Sequence, residues 1–344
     1  MLPKGSREKG VAKKTVTSAT ETIERYVDAL AKIFTSSRDK HDANSRARSV
    51  LEDMSGDPAF LTAALEKHLK TPGSLNTKHY PVVGIDIELN HLFGLVANCW
   101  IPLPGKETDV STKAIHHHGD MLLSTVTAFG PGYEHWTFKT PVAVDAGRER
   151  YSIAVIDRAP HPLHHVAFVD SFIAHLPFYP RAMTITYALW SSRFPPTWKD
   201  RVKRVPLLQR NAARLRKLAT KAGVARQLDL KVVEYFDFYP SADGFCGIKE
   251  RKEFERGPNT DYLPSLFQVI QETGNEQLAR LIKQQLSSGT PLANPELITD
   301  LLYRLEHGQT IEGRLSPTHY GIESANFTKQ DIERALTAQA KTHS

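Results

Sequence analysis

The residues best able to do chemistry lie in AIHHHGDMLLSTVTAFGPGYEHWTF, where His116, His117 and His118 run into Gly119-Asp120. On a strand, successive side chains point to opposite faces, so His116 and His118 share one face while His117 looks the other way. An H-x-H on the inner face of a small barrel offers two imidazoles to one metal, and a third ligand must then come from another strand. His175 is the best-placed candidate: it ends FVDSFIAH, precedes a turn, and is followed by the strand-like MTITYALW. The competing reading is a solvated turn ahead of a strand. His135, His161, His164 and His165 are further imidazoles, read as surface groups or supports rather than ligands.

Two kinds of element must position these groups. From Glu21 onward, Ile23, Tyr26, Val27, Leu30 and Ile33 recur at helical spacing, Ala47, Val50, Leu51 and Met54 repeat the pattern, and Asp57-Pro58 opens a third helix that Pro72-Gly73 stops. Between about Val82 and Ser192 the chain turns into short β-branched and aromatic runs separated by Gly, Pro and Asp, the pattern of an antiparallel sandwich or barrel. After Pro195-Pro196 the helical period returns. The expected organisation is a basic leader over 1–18, a helical segment over 19–81, a β-barrel over 82–194 and a helical region over 195–344.

Composition narrows the classes. With 344 residues and 40% hydrophobic content the chain can bury a core without staples. Only two cysteines occur, Cys99 and Cys246, too few and too scattered for a disulfide framework or a thiolate zinc site. No apolar run approaches the roughly 20 residues of a membrane helix, and no apolar stretch follows the basic N-terminus, so the expectation is cytoplasmic.

The order WIPLPG (100–105), IHHHGD (115–120), GPGY (130–133) and DSFIAH (170–175), followed by a strand at 183–190, resembles the cupin double-stranded β-helix, a jelly-roll barrel. Within cupins it is most similar to the cysteine dioxygenase-like group. The resemblance implies that His116, His118 and His175 bind Fe(II), with positions left open for O2 and a small-molecule substrate. The glutamate that many cupins carry a few residues past the second histidine is replaced by Leu122. Where thiol dioxygenases have a Ser-His-Tyr set, the late strand shows Thr186, Ala188 and Trp190. No arginine stands just ahead of the first ligands, although Lys106 and Lys113 could take a substrate carboxylate. The resemblance therefore implies the metal site and not the thiol substrate.

A second reading uses His118, Asp120 and His175 as a facial triad similar to that of the 2-oxoglutarate oxygenases, with Arg181 or Arg193 pairing the co-substrate. Strand parity alone does not separate the two. Tyr133, Trp136, Tyr151, Arg181 and Trp190 are the residues expected at the substrate, and Phe138 and Tyr187 share the choice between pocket and core.

Lys199 to Arg226 is strongly basic, and Arg210, Arg214, Lys217 and Lys221 form a helical stripe beside Leu208, Ala212, Leu215 and Leu218. Such a face could dock nucleic acid or an acidic partner, which is the non-enzymatic alternative. No zinc finger or RNA-binding aromatic set accompanies it, so a solvated helix is preferred. The polar stretch 238–263, with Gly244, Cys246, Gly247 and Gly257, reads as a lid or binding loop. The resemblance thus implies a cupin-type Fe(II) oxygenase acting on a small molecule with O2. Its helical additions would cover barrel edges, contact substrate or form a dimer contact.

Overall fold

The computed structural model describes residues 18–78, 82–102, 110–111, 114–191, 237–248, 257–313 and 327–342. Three helices come first, α1 (Ala19–Ser36), α2 (Lys40–Ser55) and α3 (Pro58–Lys70). Each starts where its sequence supplies a cap. Ser18 and Glu21 form a reciprocal capping box, Asp39 accepts from the N–H groups of His41 and Asp42, and Asp57 caps α3 with Pro58 at its first position.

The strands that follow are β1 (Val83–Leu89), β2 (Gly94–Trp100), β3 (Val110–Ser111), β4 (Ile115–His116), β5 (Leu122–Phe129), β6 (Tyr133–Phe138), β7 (Val142–Asp145), β8 (Arg150–Ser152), β9 (Val155–His161), β10 (Val166–Val169), β11 (Ala174–Pro177) and β12 (Thr184–Ser191). The C-terminal third adds β13 (Asp237–Ser241), β14 (Gly244–Ile248) and β15 (Phe327–Thr328), with helices α4 (Asn259–Glu272), α5 (Ala279–Ser287), α6 (Pro295–Glu306) and α7 (Lys329–Thr342). No helix of the described residues is long and apolar enough to cross a membrane.

One sheet runs β1-β2-β12-β5-β10 and the other β7-β8-β14-β13-β4-β11-β6-β9. Taking β2, β4, β5, β6, β9, β10, β11 and β12 as first to eighth, the sheets read 1-8-3-6 and 2-7-4-5. That alternation of neighbours between two antiparallel sheets is the jelly roll, or double-stranded β-helix, expected from the sequence.

Strand alternation gives each sheet two different faces. On the first sheet, Leu95, Ala97, Cys99, Ile185, Tyr187 and Leu189 pack outward into one apolar cluster with α1 to α6. Phe60 of α3 sits at its centre, with the rings of Tyr26 and Tyr187 edge-on at 5.1 Å. Buried Asn44 of α2 ties the layers by donating to Ser191 Oγ at 2.8 Å and accepting from Ser124 Oγ at 3.0 Å. The alternate residues, including Asn98, Trp100, Thr125, Thr186 and Trp190, face inward. The helices therefore cover a sheet face, not barrel edges, and helices from both ends of the chain share one core.

The second sheet packs its outer side, with Ile115, Trp136, Phe138, Leu176 and Phe245, against Ile332 and Ala335 of α7. Lys329 pairs with Glu134, and Gln339 exchanges two hydrogen bonds with the Ile153 backbone at 2.8 and 3.0 Å.

Two expectations are corrected. The region after 195 is not wholly helical, because β13 and β14 extend the second sheet beside β4. The stretch read as a polar loop from 238 begins as this hairpin, since Phe238 and Phe245 have an apolar layer to enter. Of the leader expected over 1–18, Ser18 instead caps α1, and residues 1–17, like Lys106, Lys113, Arg193 and the basic segment 199–226 with its helical stripe, lie outside the described residues.

Candidate metal centre

His116 closes β4 and stands directly opposite His175 of β11 in the antiparallel register. Directly opposed residues hold their Cβ atoms about 5 Å apart, so this pairing alone aims two imidazoles into one space. The ring centroids are 4.4 Å apart. His118 reaches the same space by a different route. β4 ends at His116, and the chain turns through Gly119 at φ +63° with Met121 N–H donating to the His118 carbonyl at 3.3 Å. Its ring lies 5.0 Å from both His116 and His175. The expected grouping is thus present, but a turn rather than strand parity delivers His118.

The turn is pinned from two sides. Lys40 of α2 donates to the Asp120 carbonyl, and Phe172 N–H donates to the Gly119 carbonyl at 2.7 Å. His117 is directed away, its Nδ1 accepting from Gly119 N–H at 3.0 Å and its ring 5.8 Å from Phe172.

One ligand atom from each of His116, His118 and His175 lies within 4.8 Å of the others. Asp120 is not a member of this group. The Nδ1–H of His116 donates to the Ala114 carbonyl at 2.8 Å, which leaves the lone pair on Nε2. His175 Nδ1 lies 2.7 Å from His135 Nε2, a contact in which either imidazole can be the donor. Three imidazoles without a thiolate or carboxylate suit a divalent transition metal. The donor set therefore fits one such ion.

Two further rings lie behind the cluster. His135 of β6 is 4.7 Å from His161, and His161 is 6.2 Å from the exposed His165. Burial first, then the neighbouring His161 and His118, hold His135 well below the usual histidine range. Burial, assisted by His165, brings His161 down to about 4. Both rings are uncharged at neutral pH.

The histidine cluster lines one wall of a cavity of about 690 Å³, a size suited to a small molecule. Trp100 and Tyr133 pack at 5.3 Å, and each is tied to a threonine: Trp100 Nε1–H donates to Thr186 Oγ1 at 3.2 Å, and Tyr133 hydrogen-bonds Thr125. Burial pushes the Tyr133 hydroxyl up to about 12, so it remains a neutral phenol. At another part of the wall, His68 of α3 and Tyr262 of α4 hydrogen-bond at 2.7 Å, and Tyr262 also engages Thr77. Burial lowers His68 to about 4. Lys78 and Asp86 are the charged lining residues among those described.

Of the expected substrate residues, Tyr133 and Trp190 line this cavity. Trp136, Tyr151 and Arg181 do not. Trp136 falls on the outer side of β6 by strand alternation, Tyr151 stacks edge-on against Phe238 at 5.3 Å, and Arg181 is exposed in the turn before β12. Phe138 and Tyr187 are core. The lining residues His68, Thr77, Asn98, Thr125 and Tyr262 carry no sequence signal, because only packing of the helical layer and the inward side of the first sheet brings them here.

No family model matches the sequence, and no curated protein does. Solved structures that are similar include an oxalate oxidase in complex with the substrate analogue glycolate, at 15% identity over 47% of this chain and 76% of that one, TM-score 0.22. A cupin domain from Bordetella pertussis aligns at 12% identity over 33% of this chain and 96% of its own, TM-score 0.19. A chain from a study of DMSP lyases aligns at 10% identity over 30% of this chain, TM-score 0.21, with the alignment spanning only 40% of the lyase chain. At such scores the fold assignment rests on strand order.

Proposed function

We propose that the chain is a metal-dependent oxygenase of the cupin type, in which His116, His118 and His175 hold one Fe(II) beside an enclosed small-molecule site. The observation that supports this most is the convergence of the three imidazoles on the wall of one cavity, with Nδ1 of His116 and His175 already engaged. Such a second layer of hydrogen bonds orients metal-bound histidines. Bound there, ferrous iron supplies the electron chemistry by which O2 and an organic substrate react.

The remaining work falls to this chain's own residues. Trp100, Tyr133 and Trp190 give the substrate apolar surfaces and keep water from the wall they occupy. The hydroxyls of Thr125, Thr186 and Tyr262 and the amide of Asn98 offer hydrogen bonds that fix orientation without introducing charge. Lys78 and Asp86, both solvent-exposed, are the groups able to meet a charged part of the substrate. The 2-oxoglutarate-type triad has less support, because Asp120 stands outside the histidine group and Arg181 outside the cavity.

Metal content after anaerobic Fe(II) loading tests the reading, with His116→Ala, His118→Ala, His175→Ala and Asp120→Ala alongside. One iron per chain, lost with each histidine variant and kept with Asp120→Ala, is expected. Iron retained by His175→Ala would overturn the assignment. Substrate screening with O2 consumption then separates an oxygenase from a lyase or isomerase, which turns over anaerobically.

A further inference from the structure

His116 and His175 have their Nδ1 atoms engaged in different ways. A carbonyl only accepts, so the Ala114 contact at 2.8 Å admits a single tautomer of His116. The partner of His175 is another imidazole, which can donate or accept. If His135 Nε2 carries a hydrogen, His175 must place its own on Nε2, facing the cluster, and loses the lone pair a metal needs. If His135 Nε2 is bare, His175 Nδ1–H donates to it and the lone pair of His175 sits on Nε2. The state of His135 therefore decides whether the third donor exists.

We infer that His135 is a positioning residue: it accepts the Nδ1–H of His175 across 2.7 Å and so selects the ring tautomer able to bind metal. The inference rests on the three-histidine metal reading above. Register brings the two rings within reach of one another. His135 is opposite Pro177, placing it diagonal to His175 on the same inward side of adjacent strands. Its ring is boxed in by Tyr133 at 6.3 Å and His161 at 4.7 Å, so it has little freedom to swing away. His135 is 5% exposed, which shields the pair from competing water. His135 thus takes the place that a carboxylate or carbonyl holds behind many metal-bound histidines.

The test combines metal affinity with a direct view of the tautomer. In metal-free wild-type protein labelled with 15N-histidine, His175 is expected to carry its hydrogen on Nδ1, and finding it on Nε2 overturns the proposal without any variant. His135→Phe removes the acceptor while keeping a ring, and is expected to weaken Zn(II) and Fe(II) binding by about 10- to 100-fold, with His175 shifting toward the Nε2–H form. His135→Gln, which retains an acceptor oxygen, is expected to recover most of that loss. Wild-type affinity in His135→Phe overturns the positioning role and leaves the metal reading intact. Weakened binding with an unchanged His175 tautomer also overturns it, since that is the mark of a merely structural contact. Metal retained by His175→Ala overturns the metal reading, and this proposal with it.

Discussion

His116 and His175 are direct cross-strand partners, and their register brings two imidazole rings to a centroid separation of 4.4 Å. The sheet thus holds two of the three candidate ligands, while the third, His118, sits in the turn that follows β4. Metal binding should therefore stabilise the native state by mass action: free metal at 100 times its Kd adds about 2.7 kcal/mol. Thermal or urea unfolding with and without metal checks this, and His116→Ala is expected to gain nothing.

Trp190 crosses β2 at Gly94, where an added Cβ would come 2.0 Å from the indole Nε1. Gly94→Ala must push the indole aside and reshape the cavity. A loss of about 1–3 kcal/mol is expected for such overpacking, together with a shift in tryptophan emission. Unchanged stability and emission would contradict the contact.

Phe60 is fully buried between Tyr26 and Tyr187, joining the helical layer to the outer side of the first sheet. Phe60→Ala is expected to cost about 3–5 kcal/mol in urea unfolding. A loss well under that would mean that the helices are not joined to the sheet through this ring.

Burial depresses His68 and His161 to about 4, below the ordinary value of 6.5. The unfolded chain then takes up protons first as pH falls, so stability is present above about 6.5 and is lost as pH drops toward 4. Each group contributes up to roughly 3 kcal/mol over that window. Urea midpoints measured from pH 7 to 4.5 should fall steadily, and His68→Gln should flatten the slope by about one proton.

Cys99 is fully buried in the first sheet, and burial pushes its thiol up to about 12. A thiol reagent at neutral pH is expected to leave Cys99 untouched until the protein unfolds. Mass spectrometry of labelled peptides reads this directly, and rapid native labelling of Cys99 would show that the first sheet opens.

The amino-acid sequence by itself determined the local grammar. Caps at Ser18, Asp39 and Asp57 start helices where the apolar period of 3.6 begins, and β-branched runs broken by Gly and Pro make the strands. Chemical type and spacing likewise marked His116, His118 and His175 as candidates, and the cupin resemblance implied that they act together. Tertiary structure decided what depends on register and on which layer covers which face. Trp136 and Tyr133, three residues apart on one strand, fall on opposite sides, Trp136 in the outer apolar cluster against Phe178 and Tyr133 at the cavity. His118 arrives through a turn, although parity made the same prediction for another reason. His68 and Tyr262 are 194 positions apart, yet they meet at the cavity because the N- and C-terminal helices share one apolar core. His135 acquired its partner by a diagonal across strands. Local propensity acts over a few residues, whereas these contacts form between segments far apart in the chain, where only burial of complementary faces selects the neighbour.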